Sequence, residues 1–204
     1  MSFKKSWGLG AVAAAALLAV PAFAAQGDST ERIIEENTQS RGLFNDLGVN
    51  ITGGVNAYTG DLGDDTKTGA SLGIQADSRP LPLLGLELGY EGSRNSFENL
   101  DGSLWRHNVG ALAKVGPELG RNGDLRPFVG AGFGVSSLNP SGGSEAIFGN
   151  DFVTEVPLAA GVDYKFGGVK AGVRASYRIL GGESLDAGQT GNNVNVGLQV
   201  GGAF

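Results

Sequence analysis

Few residues in this chain could do chemistry. Histidine occurs once, at His107, so an imidazole acid or base has a single candidate. Ser103 and Glu98 lie near it in sequence. Hydrolysis, however, needs a nucleophile, a base and an orienting group to converge on one point, and only the base is specific here. Cysteine is absent, which removes thiolate, disulfide and Cys-based metal chemistry, and one histidine cannot build a multi-histidine metal centre. Asp61-Leu62-Gly63-Asp64-Asp65 offers carboxylates to a divalent cation but lacks the spacing of a calcium loop, so a solvated acidic loop is expected. Gly130-Ala131-Gly132-Phe133-Gly134 has the glycine density of a phosphate-binding loop but lies within a strand pattern and opens no helix. Asn50-Ile51-Thr52 matches a glycosylation triplet by chance. These features assign no catalytic residue, no metal site and no cofactor.

The elements that would hold any site must be read from composition and period. Of 204 residues 36 are glycine, well above the usual ~7%, and the length suits one domain. The formal charge is -6 and no cluster of Lys or Arg tracks a phosphate backbone, so nucleic acid is excluded as a partner.

Residues 1–25 read as a secretory signal peptide. Lys4 and Lys5 precede an apolar run from Leu9 to Val20, and Ala22-Phe23-Ala24 supplies the small-x-small cleavage site. The run is too short to cross a ~30 Å hydrocarbon layer as a helix. Residues 26–46 form a short polar, charged segment on the periplasmic side. Asp28 stands three residues before Glu31 with helix-start spacing, and Ile33-Ile34 is the early apolar pair.

From residue 47 onward residue type alternates with period two, the signature of strands with one polar and one apolar face. Eight strands are predicted: Leu47–Thr59, Ala70–Arg79, Leu84–Glu91, Leu104–Val115, Pro127–Ser137, Phe152–Tyr164, Val169–Ile179 and Asn193–Phe204. In the third, Leu84, Leu86, Leu88 and Tyr90 oppose Gly85, Glu87, Gly89 and Glu91. In the seventh, Val169, Ala171, Val173, Ala175 and Tyr177 oppose Lys170, Gly172, Arg174, Ser176 and Arg178.

An even count lets an antiparallel sheet close on itself, and strands of ~9–11 residues cross a bilayer when tilted. Residues 47–204 are therefore expected to form an all-β, eight-stranded, up-and-down transmembrane barrel with the apolar row toward lipid and the glycine-rich polar row in a cramped lumen. A lumen charge network would then comprise Asp77, Glu87, Glu91, Glu155 and Asp163 with Arg79, Arg106, Lys114, Lys170, Arg174 and Arg178. Pairing is expected, because an unpartnered charge there costs several kcal/mol. A four-residue turn at 165–168 would set Asp163 opposite Lys170 and Glu155 opposite Arg178, two favourable cross-strand pairs. Short turns at Pro80-Leu81-Pro82 and 165–168, with a longer one over 116–126, alternate with connections near 60–69, 92–103, 138–151 and 180–192 that should face outward. Tyr90 and Trp105 then fall near the outer interface and Tyr164 and Phe204 near the inner one, as aromatic girdles require.

The eight alternating strands, the charged row and the ending Val194-Asn195-Val196-Gly197-Leu198-Gln199-Val200-Gly201-Gly202-Ala203-Phe204 resemble the small outer-membrane barrels of the OmpA transmembrane-domain, OmpX and opacity-protein type. The resemblance covers residues 47–204 and implies a bacterial outer-membrane location, export by a cleaved signal peptide, and lipid partners including lipopolysaccharide. It also implies that Val200 and the terminal Phe204 address the barrel-assembly machinery. Tasks within the group vary, so an envelope-structural or adhesin-like role with an extracellular ligand leads, a narrow low-conductance pore follows, and a lipid-modifying enzyme comes last. The compact His-x-Ser of the lipid A deacylases is missing, because position 109 is Val109. His107 therefore reads as a belt residue beside Trp105.

Overall fold

The computed structural model describes residues 39–99, 101–120, 123–142, 151–181 and 191–203. The signal-peptide reading, residues 26–38 of the polar segment and Phe204 lie outside these residues. The chain divides into Met1–Gln39 and Ser40–Phe204.

Alternating residue types put the second of these units into extended strands, and the strands form a closed barrel in sequence order. They are β1 (Gly48–Gly60), β2 (Gly69–Ser78), β3 (Leu84–Ser96), β4 (Gly102–Val115), β5 (Leu125–Gly142), β6 (Asp151–Phe166), β7 (Val169–Gly181) and β8 (Gly191–Ala203). Closure is made by β1 and β8, paired antiparallel from Gly48 opposite Ala203 to Gly60 opposite Gly191. No edge is left for lipid to meet, which an uncovered strand in hydrocarbon could not sustain.

Side-chain parity decides what faces where. Ile51, Leu72, Leu88, Val109, Phe133 and Leu198 are all more than half exposed on the outside of the wall. Leu86, Val162 and Val196 share that face, while Glu87 is buried on the other. A surface of this kind is the inverse of a soluble sandwich, and its natural solvent is the acyl region of a bilayer.

Three expectations are corrected. The β6–β7 hairpin closes on the two residues Gly167-Gly168, with Phe166 opposite Val169 and Gly167 at φ 60°. Two-residue turns favour such left-handed positions because their twist matches the strands. Tightening the turn slides the register by two residues, so Asp163 faces Gly172 rather than Lys170, and Glu155 faces Leu180 rather than Arg178. A two-residue slide keeps parity, and all four charges stay on the inner face.

Second, β3 runs to Ser96 and β5 to Gly142, beyond the predicted ends, which leaves only residues 97–101 between β3 and β4. Third, the acidic run Asp61–Asp65 forms a short helix, α1, whose Leu62 is buried, rather than a solvated loop.

Candidate functional site

The lumen is filled in layers. At its centre Arg106 is fully buried. Its guanidinium donates to both oxygens of Glu155 at 2.6 and 2.5 Å and to Glu91 at 2.9 Å. Glu155 also accepts from Ser136 Oγ at 2.6 Å and Asn108 Nδ2 at 3.2 Å, and Glu91 is clamped on both oxygens by Arg178. Planar bidentate pairs of this sort are among the strongest charge-assisted hydrogen bonds, and both oxygens of each carboxylate here have a donor.

One layer toward the short-turn end, Glu87 takes Lys114 Nζ at 2.7 Å and both terminal nitrogens of Arg174. Arg174 also donates to Gln199 Oε1 at 3.0 Å, and Gln199 in turn donates to Asp163. Below these, Lys170 and Asn50 both donate to Asp77. The strand row thus holds Asp77, Glu87, Glu91, Glu155 and Asp163 against Arg106, Lys114, Lys170, Arg174 and Arg178. The acids and bases match one for one, and every acid has a basic partner within 4 Å.

Arg79 stands apart from this row, because β2 ends at Ser78. Its guanidinium donates to Pro82 O at 2.9 Å and Gly116 O at 2.8 Å and lies 3.6 Å from Glu118. It belongs to an ionic clasp across the turn end. There Asp46 takes Lys165 at 2.6 Å and also Arg126, and Glu118 takes Arg41 and Arg126, each at 3.1 Å. Burial opposes ionisation of Asp46, but hydrogen bonds from Lys165 and Arg126 outweigh it and hold the carboxyl well below the usual carboxylate range.

Apolar residues complete the filling, and none of these positions was anticipated. Leu112, Phe128 and Ala159 form a buried cluster in the lumen, with Lys114 Nζ 4.9 Å and Arg174 Cζ 5.7 Å from the Phe128 ring centre. Phe128 fits because its neighbour is glycine: a Cβ on Gly161 would stand 2.7 Å from the ring. The loop end is stoppered by Tyr58, Leu62, Phe97, Leu104, Leu138 and Val153, with Leu180 packed against them. The available signal was parity, since Leu104 and Leu112 share the even-numbered row of β4 with Arg106 and Asn108. Among the described residues, two spaces within the lumen lining measure about 20 and 50 Å³. A water needs roughly 10–15 Å³ on this measure, so the first holds about one and the second a few.

On the outside, Tyr90, Trp105 and Tyr164 all project from the wall. Trp105 lies three residues into β4 from the loop end and Tyr164 two residues from the opposite end of β6. Tyr90 starts in mid-strand, opposite Val109, and its hydroxyl reaches His107 Nδ1 at 2.6 Å. His107 in turn stacks on Trp105, with ring centres 6.5 Å apart and planes within 7°. Val200 also faces outward. The described residues hold no group of three or more His, Cys, Asp or Glu fit for a metal ion.

A closed barrel of eight antiparallel strands with an apolar outer wall and an ion-paired interior defines a bacterial outer-membrane β-barrel protein. The chain belongs to the outer membrane protein beta-barrel domain family, which matches residues 10–204. No curated protein matches it. Among solved structures it is similar to Neisserial surface protein A, with 17% identity and a TM-score of 0.62 over 78% of this chain and 97% of that one. It is also similar to Ail, the attachment invasion locus protein of Yersinia pestis, in complex with the heparin analogue sucrose octasulfate. That match has 16% identity and a TM-score of 0.54, over 78% and 97% of the two chains. The outer membrane enzyme PagL matches at 18% identity with a TM-score of 0.50, over 74% of this chain and 97% of its own. At these identities the likeness is one of fold.

Proposed function

We propose that this protein is a non-catalytic, non-conducting wall element of the outer membrane that supports the envelope or presents its loops to an external partner. The observation that carries the reading is the filled lumen. The stoppered loop end, the central salt-bridge chain and the turn-end clasp follow one another along the lumen of the described residues, and the two spaces found between them are of water size. An eight-stranded barrel has an interior just wide enough for its own side chains, so a path for solutes would require breaking buried ion pairs. A lipid-modifying activity has less support. The His107 Nδ1 atom is engaged by Tyr90, and the Ser103 hydroxyl accepts from Arg94 Nε at 3.1 Å, so neither contact is the nucleophile-to-base bond that acyl chemistry needs. The partners we envisage are outer-membrane lipids, the assembly machinery during insertion and an extracellular ligand. The test is a planar-bilayer recording on the purified full chain. A quiet baseline across salt concentrations agrees with a sealed barrel, and discrete steps of large amplitude would replace it with a pore.

A further inference from the structure

The outer wall carries almost no charge. On the outward parity of the described strand residues, Arg94 is the one permanently charged side chain and His107 the one imidazole. They are not scattered. Arg94 lies directly opposite Trp105 in the β3–β4 ladder, with its guanidinium carbon 5.5 Å from the centre of an indole ring. The imidazole of His107 stacks on the same tryptophan and is held by the Tyr90 hydroxyl. Gly92, opposite His107, has no side chain to cover the patch.

Depth and charge balance narrow the purpose of this cluster. Arg94 is two residues from the loop end of β3, where a wall arginine costs about 0–1 kcal/mol instead of the ~2–4 kcal/mol expected at the midplane. Among the described residues no carboxylate pairs with it. The strand carboxylates of the lumen layers all face inward, and nearby Glu98 stands 3.9 Å from Lys67. Arg94 donates Nε to Ser103 Oγ, which leaves its terminal nitrogens as a fork suited to two oxygens of a phosphate. Short turns lie at the periplasmic end of such barrels, so this end faces the outer leaflet.

We propose that Arg94, Trp105, His107 and Tyr90 form a binding site for the phosphorylated sugar headgroup of an outer-leaflet glycolipid. Arg94 takes the phosphate, His107 adds an N–H when Tyr90 donates to its Nδ1, and the exposed parts of Trp105 and Tyr90 receive the sugar's C–H surface. The site rests on the membrane reading but not on the lumen being sealed, and its test reads lipid binding rather than conductance.

The full chain, folded in maltoside micelles, is titrated with diphosphoryl lipid A, dephosphorylated lipid A, phosphatidylglycerol or inorganic phosphate, and bound lipid is counted by native mass spectrometry. Wild type should hold diphosphoryl lipid A at least tenfold more tightly than either the dephosphorylated form or phosphatidylglycerol, and inorganic phosphate should compete only weakly. Arg94→Gln should lose about tenfold, Arg94→Lys less, and Val173→Leu on β7, across the barrel, nothing, with folding of each checked by unboiled gel mobility. Equal affinity for the dephosphorylated lipid, or an unaffected Arg94→Gln, would overturn the proposal. Equal binding of phosphatidylglycerol would overturn its glycolipid part, and tight competition by inorganic phosphate would replace the headgroup with a free anion.

Discussion

The two ends of the lumen are closed by opposite chemistries. At the loop end Tyr58, Leu62, Phe97, Leu104, Leu138 and Val153 exclude water by packing. At the turn end Asp46 and Glu118 gather Arg41, Arg79, Arg126 and Lys165 into a clasp. The first is indifferent to pH and salt, because burial of apolar area has no charge to screen or protonate. The second depends on ionised carboxylates and stands partly open to solvent, with Lys165 30% and Arg41 39% exposed in their side chains. Between them lies a charge-balanced column that needs neither end to be neutral. A barrel can therefore be stoppered firmly on one side and remain adjustable on the other.

This contrast can be broken from the middle outward. The largest effect is expected for Arg106→Leu, which strands Glu155 without its bidentate partner in a buried layer. We expect a loss of about 3–5 kcal/mol in urea unfolding of the detergent-folded barrel. A loss under about 1 kcal/mol would mean that Glu155 does not depend on this partner. Next comes Leu104→Ala at the stopper, expected to cost about 2–3 kcal/mol by leaving a cavity beside Phe97 and Tyr58. That cost should be the same at pH 4 and pH 7; a marked pH dependence would show the stopper to be coupled to charge.

The smallest effect belongs to the clasp. Asp46 has a folded pKa below its unfolded value of about 3.9, so its contribution is complete above that value and fades as pH falls through the folded one. Acid should thus loosen residues 40–47 before the strands. Hydrogen exchange at the Arg41 amide, which donates to Pro80 O at 2.8 Å, reports this directly, and Asp46→Asn should reproduce it at neutral pH. Unchanged protection in both cases would remove the clasp's role.

Strand number, parity and the inward direction of the charges were legible because each strand's pattern is local. Which charge meets which was not. Asp163 and Lys170 looked like a hairpin pair, yet Lys170 bonds Asp77 across 93 positions of sequence and Arg106 bonds Glu155 across 49. Those partnerships depend on barrel closure, which neighbouring residues do not encode. The misread turn survived because a slide of two leaves every side chain on the same face. The ends of β3 and β5 were missed for another reason. Residues such as Ser93, Asn95 and Ser96 lie toward the loop end, where the apolar alternation stops but the hydrogen-bonded ladder continues, and Arg94 was lost with them.

One face of the wall meets lipid and the other a closed interior. Because the chain has no cysteine, single spin labels can be placed at Leu88 and Val109 on the wall and at Glu87 and Asn108 inside, in the full chain reconstituted into vesicles. Fast collision with oxygen and slow collision with an aqueous nickel chelate are expected at Leu88 and Val109, and slow collision with both at Glu87 and Asn108. Ready access of the nickel chelate to Glu87 and Asn108, or to Leu88 and Val109, would contradict it.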